Sequence, residues 1–330
     1  MEDRLVIVVI TYNRINSLKR LLTSLLKANY FEDKVDLIIS IDHSGKNDIL
    51  EHSNKLVWPY GNKRVIAHTE NLGLRNHVLF CGNLVNEYKY ICVFEDDMFV
   101  SSGFYNFVKQ TKKLIAGNIA GISLYTHLWN YIAEKPFTPL KGNNDYFLMQ
   151  QAQSWGQVWS NDSWSKFYSW YLKNTDINFN SNNFPEKIAS WSKSSWLKYF
   201  MKYIVDQNLF FVYPYHSFTT NFTEIGTHNK ENTTRFQVPL DVGECKQYYI
   251  NVEHQEQIVY DIFFENLNIE LNDIPKCKLT IDIYGQKKNY KKYLLTTRQN
   301  NFKIINKYPL FFKPHELNIK NELAGDSIFL

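Results

Sequence analysis

Apolar residues in the first hundred positions recur with two different periods. Residues 5–10 form an unbroken apolar run rich in Val and Ile, the pattern of a strand covered on both faces. Leu18, Leu21, Leu22, Leu25 and Leu26 then recur at helical spacing, with Asn16 or Ser17 as a cap. Residues 36–41 predict a second buried strand and residues 64–67 a short third. Leu74, Val78, Cys81 and Val85 line one face of a second helix, and residues 90–94 predict a fourth strand. This alternation implies a parallel α/β sheet with right-handed crossovers.

Further along, the pattern predicts a helix over 102–117, a strand over 119–124, a helix over 195–206 and a strand over 209–213 that stops at Pro214. Residues 143–236 are dense in Trp, Tyr, Asn and Ser. After Pro239 the character changes to short alternating stretches, such as 278–284, and a basic run from Lys287 to Lys292. The expected organisation is one large α/β domain over 1–240, with a change of pattern near residue 100. A small β-rich or mixed extension follows over 241–330.

Composition narrows the class. With 44% hydrophobic and 21% charged residues the 330-residue chain is an ordinary globular protein, so wholesale disorder is excluded. A net charge of +4, from 37 basic and 33 acidic residues, is too small to argue for nucleic acid. Cys81, Cys92, Cys245 and Cys277 form no CxxC pair, which excludes a zinc ribbon or a disulfide framework and suits a reducing compartment. The apolar run at residues 5–10 ends in Thr11-Tyr12-Asn13-Arg14 and lacks the form of a secretory signal. Nothing approaches the roughly 20 apolar residues of a membrane span. A cytoplasmic location is expected. The 22 Tyr, 23 Phe and 8 Trp can stack on bases and sugar faces, although most are expected simply to fill the core.

Three strand ends carry chemistry. Glu95-Asp96-Asp97 follows directly on the fourth strand, at the edge where open α/β sheets bind ligands. Three crowded carboxylates repel, and a hard divalent cation relieves the clash. The same triplet also fits a solvated turn in which Asp97 or Ser101 caps the next helix. Thr11-Tyr12-Asn13-Arg14 stands between the first strand and its helix, where backbone N–H groups and a positive dipole end face outward; a capping turn with a surface arginine is the plainer alternative. Asp42 ends the second strand and can accept from a uracil or ribose donor, or cap a turn. In a parallel sheet all three lie on one edge. The chain has no GxGxxG after a strand, no GxxxxGK[ST], no HExxH and no GxSxG, which disfavours dehydrogenases, P-loop enzymes, zinc proteases and serine hydrolases. A nucleotide diphosphate held through a metal fits what remains.

These segments resemble the nucleotide-sugar half of GT-A glycosyltransferases. Ile7 to Arg14, Ser40-Ile41-Asp42 and Val93 to Asp97 match its strand ends, with the acidic triplet at the place of the DxD-type metal motif. Within that fold the chain is similar to the N-acetylglucosaminyltransferase I family and its bacterial family-2-like relatives. The similarity rests on Glu95 to Tyr105, on Gln153 to Trp159 and on Asn221 to His228, and covers residues 5–236. The resemblance implies a GT-A fold and a nucleotide-sugar donor, UDP-linked. Thr11, Tyr12, Asn13, Arg14, Asp42, His77, Glu95 and Asp96 would bind the donor. Asp97 would ligate Mn²⁺ or Mg²⁺, and Thr227 and His228 would belong to a closing loop.

One departure stands out. The family places an aspartate base on a Trp-flanked segment, but here Ser190-Trp191-Ser192-Lys193-Ser194-Ser195-Trp196 has no carboxylate. Glu186, Asp206 and Glu224 are the nearby substitutes, Glu224 being preferred. The expected function is inverting, metal-dependent transfer of a sugar to a hydroxyl of a growing glycan, or of a lipid-linked one, in bacterial surface polysaccharide synthesis. A catalytically inactive glycan-binding scaffold and a sugar nucleotidyltransferase are the alternatives. Lys287, Lys288, Lys291 and Lys292 form either a membrane-facing patch at the inner leaflet or a solvated basic face.

Overall fold

The computed structural model describes residues 5–222, 234–243, 245–251, 257–271, 273–299 and 301–330. Its first part alternates as the sequence predicts: β1 (Leu5–Thr11), α1 (Ile15–Leu26), β2 (Asp36–Ile41), α2 (Asp48–Lys55), β3 (Lys63–Ala67), α3 (Gly73–Asn83) and β4 (Tyr90–Glu95). β1 pairs in parallel with β2 and β4, and β2 with β3. Leu5, Ile7 and Val9 pack on one face of the sheet with α1, while Val6, Val8 and Ile10 pack on the other with α3. Both faces are covered, which is why the strands read as continuous apolar runs. Asn16 and Ser17, expected as caps, lie inside α1, and Arg14 occupies the cap position without a side-chain capping bond. The short polar α2 escaped the pattern because only Ile49 and Ser53 are buried on it.

The middle of the chain runs β5 (Met98–Val100), α4 (Phe104–Thr111), β6 (Ile119–Ser123), β7 (Trp129–Asn130), β8 (Lys135–Pro136), β9 (Tyr146–Met149), β10 (Gln157–Ser160), α5 (Asn161–Lys173), α6 (Glu186–Ala189), α7 (Trp196–Asp206), β11 (Phe210–Pro214) and β12 (Thr219–Asn221). The helix expected over 102–117 is therefore shorter, and β5 precedes it. β10 inserts antiparallel between β4 and β6, and β11 joins β6 to β9. With β13 (Val259–Tyr260) the sheet has nine strands, ordered β13-β9-β11-β6-β10-β4-β1-β2-β3. Ser160 caps α5 reciprocally with Ser163, and α5 and α7 bury Trp164, Phe167 and Phe200 beneath Trp159 of β10. At roughly 1.5–3 kcal/mol for each fully buried large side chain, this aromatic layer stabilises the middle part of the chain. All four cysteines are free.

The division expected at residue 240 falls before the last strand of this sheet, so the chain after 240 contributes to two places. Tyr260, Ile262, Phe263 and Phe264 belong to the main core. The rest folds around a separate small core of Leu279, Ile281, Leu295, Tyr308, Ile319 and Ile328. There β14 (Leu279–Asp282), β15 (Tyr293–Thr296), β16 (Lys307–Tyr308), α8 (Glu316–Lys320) and β17 (Ile328–Phe329) form a sheet of order β14-β15-β17-β16. The basic run needs correction here. Lys287 is drawn inward to Asp261 at 2.5 Å, with only 16% of its side chain exposed, and Lys288 pairs with Glu186. The attraction of Asp261 and Glu265 outweighs the desolvation of Lys287 and raises its pKa. Only Lys291 and Lys292 of the four remain outward without a carboxylate partner among the described residues.

Candidate active site

The register of β1 with β2 and β4 pairs Thr11 with Ile41 and Ile10 with Glu95. Thr11, Asp42 and the acidic triplet therefore share the carboxyl edge of the parallel strands. The Thr11 hydroxyl donates to Asp96 Oδ2 at 2.8 Å. Arg14 reaches back from the start of α1, donating from Nη1 to Asp97 Oδ2 at 3.0 Å and from Nη2 to Asp96 Oδ1. Burial and the neighbouring Asp97 push the Glu95 carboxyl up to about 8, Arg14 opposing. Burial likewise raises Asp96, against the pull of Arg14. Asp97 is 7% exposed, and its Oδ1 is buried with no hydrogen-bond partner among the described residues. The capping alternative for Asp97 is ruled out, because β5 separates it from α4 and Gly103 holds the cap position.

Asp42 is 4% exposed. Its Oδ1 accepts from the backbone N–H of His43 at 2.9 Å and Leu72 at 2.8 Å, and its Oδ2 from that of Gly73 at 3.1 Å. The carboxylate thus satisfies orphan donors at the start of α3 and fixes that helix against the sheet edge. His77, one turn into α3, is buried against Ser40, Nε2 to Oγ 2.8 Å. Burial pulls its pKa down to about 4, with Asp42 opposing, so the ring is neutral near pH 7.

Across β4 lies an aromatic pocket that no motif predicts. β10 pairs with β4 from Gln157 opposite Val93, which sets residues 153–156 beside the acidic strand end. Gly156 there has φ +89°, and a Cβ would come within 2.8 Å of Thr219. A cavity of about 290 Å³ is lined by Trp129, Tyr131, Trp155 and Trp191, with Glu134 its one carboxylate among the described residues. Trp155 packs on Tyr125 at 4.8 Å, and Tyr131 stacks with Trp191 at 5.9 Å. Arg235 lies over the Trp129 ring at 4.3 Å. Glu134 sits in the turn between β7 and β8 at φ +54°, a conformation a non-glycine residue adopts at a cost. Its carboxyl bonds Lys187, which holds it below the usual carboxylate range. His127 on the pocket wall is pulled down to about 3 by burial and is neutral.

Residues 6–168 match the model of glycosyl transferase family 2. That match, over just under half of the chain, supports a family-2-like sugar transferase of GT-A fold. Among solved structures it is similar to S. aureus TarS 1-349 in complex with UDP, at 14% identity, 66% of this chain, 59% of that chain and a TM-score of 0.40. It is also similar to the mannosyltransferase PcManGT from Pyrobaculum calidifontis in complex with GDP-Man and Mn²⁺, at 13% identity, 48% of this chain, 45% of that chain and a TM-score of 0.34. The chain thus spans less than two thirds of the length of either. No curated protein matches it.

The sequence-predicted residues divide into groups. Thr11, Arg14, Asp96 and Asp97 are bonded together, with Glu95 adjoining. Tyr12 stands at the same strand end, 36% exposed, with Asn13 beside it. Asp42 and His77 lie on the α3 side. Glu224, Thr227 and His228 fall outside the described residues. The base candidates Glu186 and Asp206 lie elsewhere, Glu186 beside Lys288 and Asp206 beside Lys202 at the far end of α7. Neither lines the aromatic pocket. Among the described residues no three His, Cys, Asp or Glu side chains converge as a closed metal site. The unpartnered Asp97 Oδ1 nonetheless fits a hard cation bound in an open site, where one carboxylate suffices and substrate oxygens complete the shell.

Proposed function

We propose that the chain transfers a sugar from a nucleotide diphosphate, UDP, to a hydroxyl of a growing glycan with inversion at the anomeric carbon, in surface polysaccharide synthesis. The observation that carries this is the buried oxygen of Asp97 at the carboxyl end of β4, which has no partner among the described residues, beside the strand-to-helix turn of Arg14. Asp97 would hold Mn²⁺ or Mg²⁺, which when bound offsets the charge gathering on the departing diphosphate. Arg14 aligns Asp96 and Asp97 and adds a fixed positive charge beside that group. Thr11 holds Asp96 in place. Asp42, by seating the start of α3, and His77 beneath it shape the side on which the uridine would rest. The aromatic pocket across β4 offers flat apolar faces to the C–H surface of an acceptor sugar. No described helix is long and apolar enough to cross a membrane, which is compatible with work at the cytoplasmic side.

An inverting transfer also needs a base. As the acceptor oxygen bonds the anomeric carbon, the bond to the diphosphate breaks and the hydroxyl proton passes to that base. Glu134 is the carboxylate the pocket provides, and its ionised state at neutral pH suits the role. Glu134→Gln is expected to lower kcat by about 10²–10⁴-fold while leaving donor affinity within about twofold, as read by steady-state kinetics alongside donor titration. An unchanged kcat would assign the base elsewhere, Glu224 being the next to test.

A glycan-binding protein without activity is the second reading. It is favoured by the carboxylate-free stretch Ser190 to Trp196 and by Arg14 already occupying both aspartates. Calorimetry separates the two. UDP should bind with Mn²⁺ and lose most of its affinity in EDTA; equal binding under both conditions, or none, would refute the metal-dependent transferase.

A further inference from the structure

Exposed large apolar side chains concentrate in one segment of the extension. Phe302, Ile304, Ile305, Leu310, Phe311 and Phe312 are all exposed, Phe311 by 82%. They flank β16, the outermost strand of the small sheet. This backbone is held in place. Asn318, with no exposed surface, accepts at Oδ1 from Phe311 N (3.0 Å) and Phe312 N (3.1 Å), and its Nδ2 donates to Phe312 O (3.1 Å) and His315 O (2.9 Å). Ile305 N donates to Leu330 O at 2.7 Å. The loop's polar groups are thus satisfied inward while its rings face solvent, an arrangement that costs free energy unless something apolar covers them.

Charge says what covers them. Residues 302–313 contain Lys303, Lys307 and Lys313 and no Asp or Glu. Lys307 pairs with Asp326, whereas Lys303 and Lys313 are exposed at the two ends of the segment. Phe302 also lies edge-on to Tyr290 at 6.4 Å, which brings the exposed Lys291 and Lys292 to its border. Self-association through this face would set lysines against lysines. An anionic bilayer instead accepts rings at the headgroup–acyl boundary and lysines at its phosphates, with no demand for a shape-matched partner. We propose that residues 302–313 are a membrane-docking loop for anionic lipid. This surface is independent of the active-site reading, so either can fail alone.

The test is co-sedimentation of the full chain with phosphatidylglycerol–phosphatidylcholine vesicles and with pure phosphatidylcholine vesicles. Binding to the anionic vesicles is expected. It should fall about tenfold or more for the double variant Phe311→Ser, Phe312→Ser. It should also fall about tenfold or more for Lys303→Gln, Lys313→Gln, since each lysine near such a surface is worth about fivefold. The replaced side chains are exposed, so melting temperature and UDP affinity should stay at the parent's values and show that both variants are folded. No vesicle binding by the parent, or binding that neither double variant weakens, would overturn the proposal. So would a concentration-dependent dimer, seen by ultracentrifugation without lipid and abolished by the Phe311, Phe312 variant.

Discussion

Asp97→Ala is expected to lower metal-dependent turnover of a UDP-sugar by about 10³-fold, while the protein melts within about 2 °C of the parent. The magnitude follows from what the side chain offers. Removing a single preorganised group that faces developing charge costs about 10²–10³-fold, and a metal's Lewis-acid contribution of several kcal/mol puts the loss at the upper end of that range. The fold should tolerate the change because Asp97 Oδ1 has no hydrogen-bond partner to lose among the described residues. Oδ2 gives up Arg14 Nη1 at 3.0 Å, but Arg14 keeps Asp96. Removing the carboxylate also relieves repulsion of Glu95 and Asp96, which offsets part of the lost pairing. Donor hydrolysis followed by mass spectrometry with Mn²⁺ reads the effect without knowledge of the acceptor. Full activity of the variant in EDTA would remove Asp97, and the metal with it, from the mechanism.

Gly82→Ala is expected to destabilise the protein by about 2–3 kcal/mol, the opposite sign from the usual exchange. In an ordinary helix interior Ala is favoured over Gly by up to about 1 kcal/mol. Gly82 lies in α3 where Trp164 crosses it, and a Cβ would stand 1.9 Å from the indole Cζ2. The ring cannot step aside. It is 1% exposed, stacked on Trp159 at 4.3 Å, edge-on to Phe167 at 5.1 Å and bonded from Nε1 to Asn83 Oδ1 at 2.9 Å. The added methyl must therefore push α3 off α5, and α3 also carries His77 and rests on Asp42. Thermal denaturation should show a fall of about 5–10 °C, with weaker UDP binding if α3 shifts at the sheet edge. An equal or higher melting temperature would show that Trp164 does not pack against α3.

The legible part of this protein is the part governed by local chemistry. The apolar run at 36–41 coincides with β2, and the runs at 5–10 and 90–94 stop one residue short of the strand ends, Thr11 and Glu95. Strands buried on both faces leave an uninterrupted apolar run, and the first polar residue after it marks the ligand edge. That is why Thr11, Asp42 and the acidic triplet could be placed together before any contact was known. A turn-capping role for Asp42 is equally legible, but the helix it meets is not: its carboxylate accepts from Leu72 and Gly73 at the start of α3, thirty residues on. Lys287 was not legible as a buried residue, since its burial depends on Asp261 and Glu265 arriving from the far side of a core. Glu134 gave no signal at all: it is a single carboxylate in a short turn, with no motif around it.

The sequence by itself determined the alternating half of the sheet, the acidic strand end and the arginine turn that faces it. Each follows from interactions between residues near in the chain, or from a periodicity that burial imposes on a single strand. The tertiary structure alone decided that β10 runs antiparallel between β4 and β6, and so where the aromatic pocket lies. It alone left Asp97 Oδ1 without a partner among the described residues, turned Lys287 inward and kept the rings of Phe302, Phe311 and Phe312 outward. These outcomes depend on which distant segments supply the partners for a buried polar atom or cover an apolar face. That pairing is set by packing across the whole chain, and no short stretch of sequence records it.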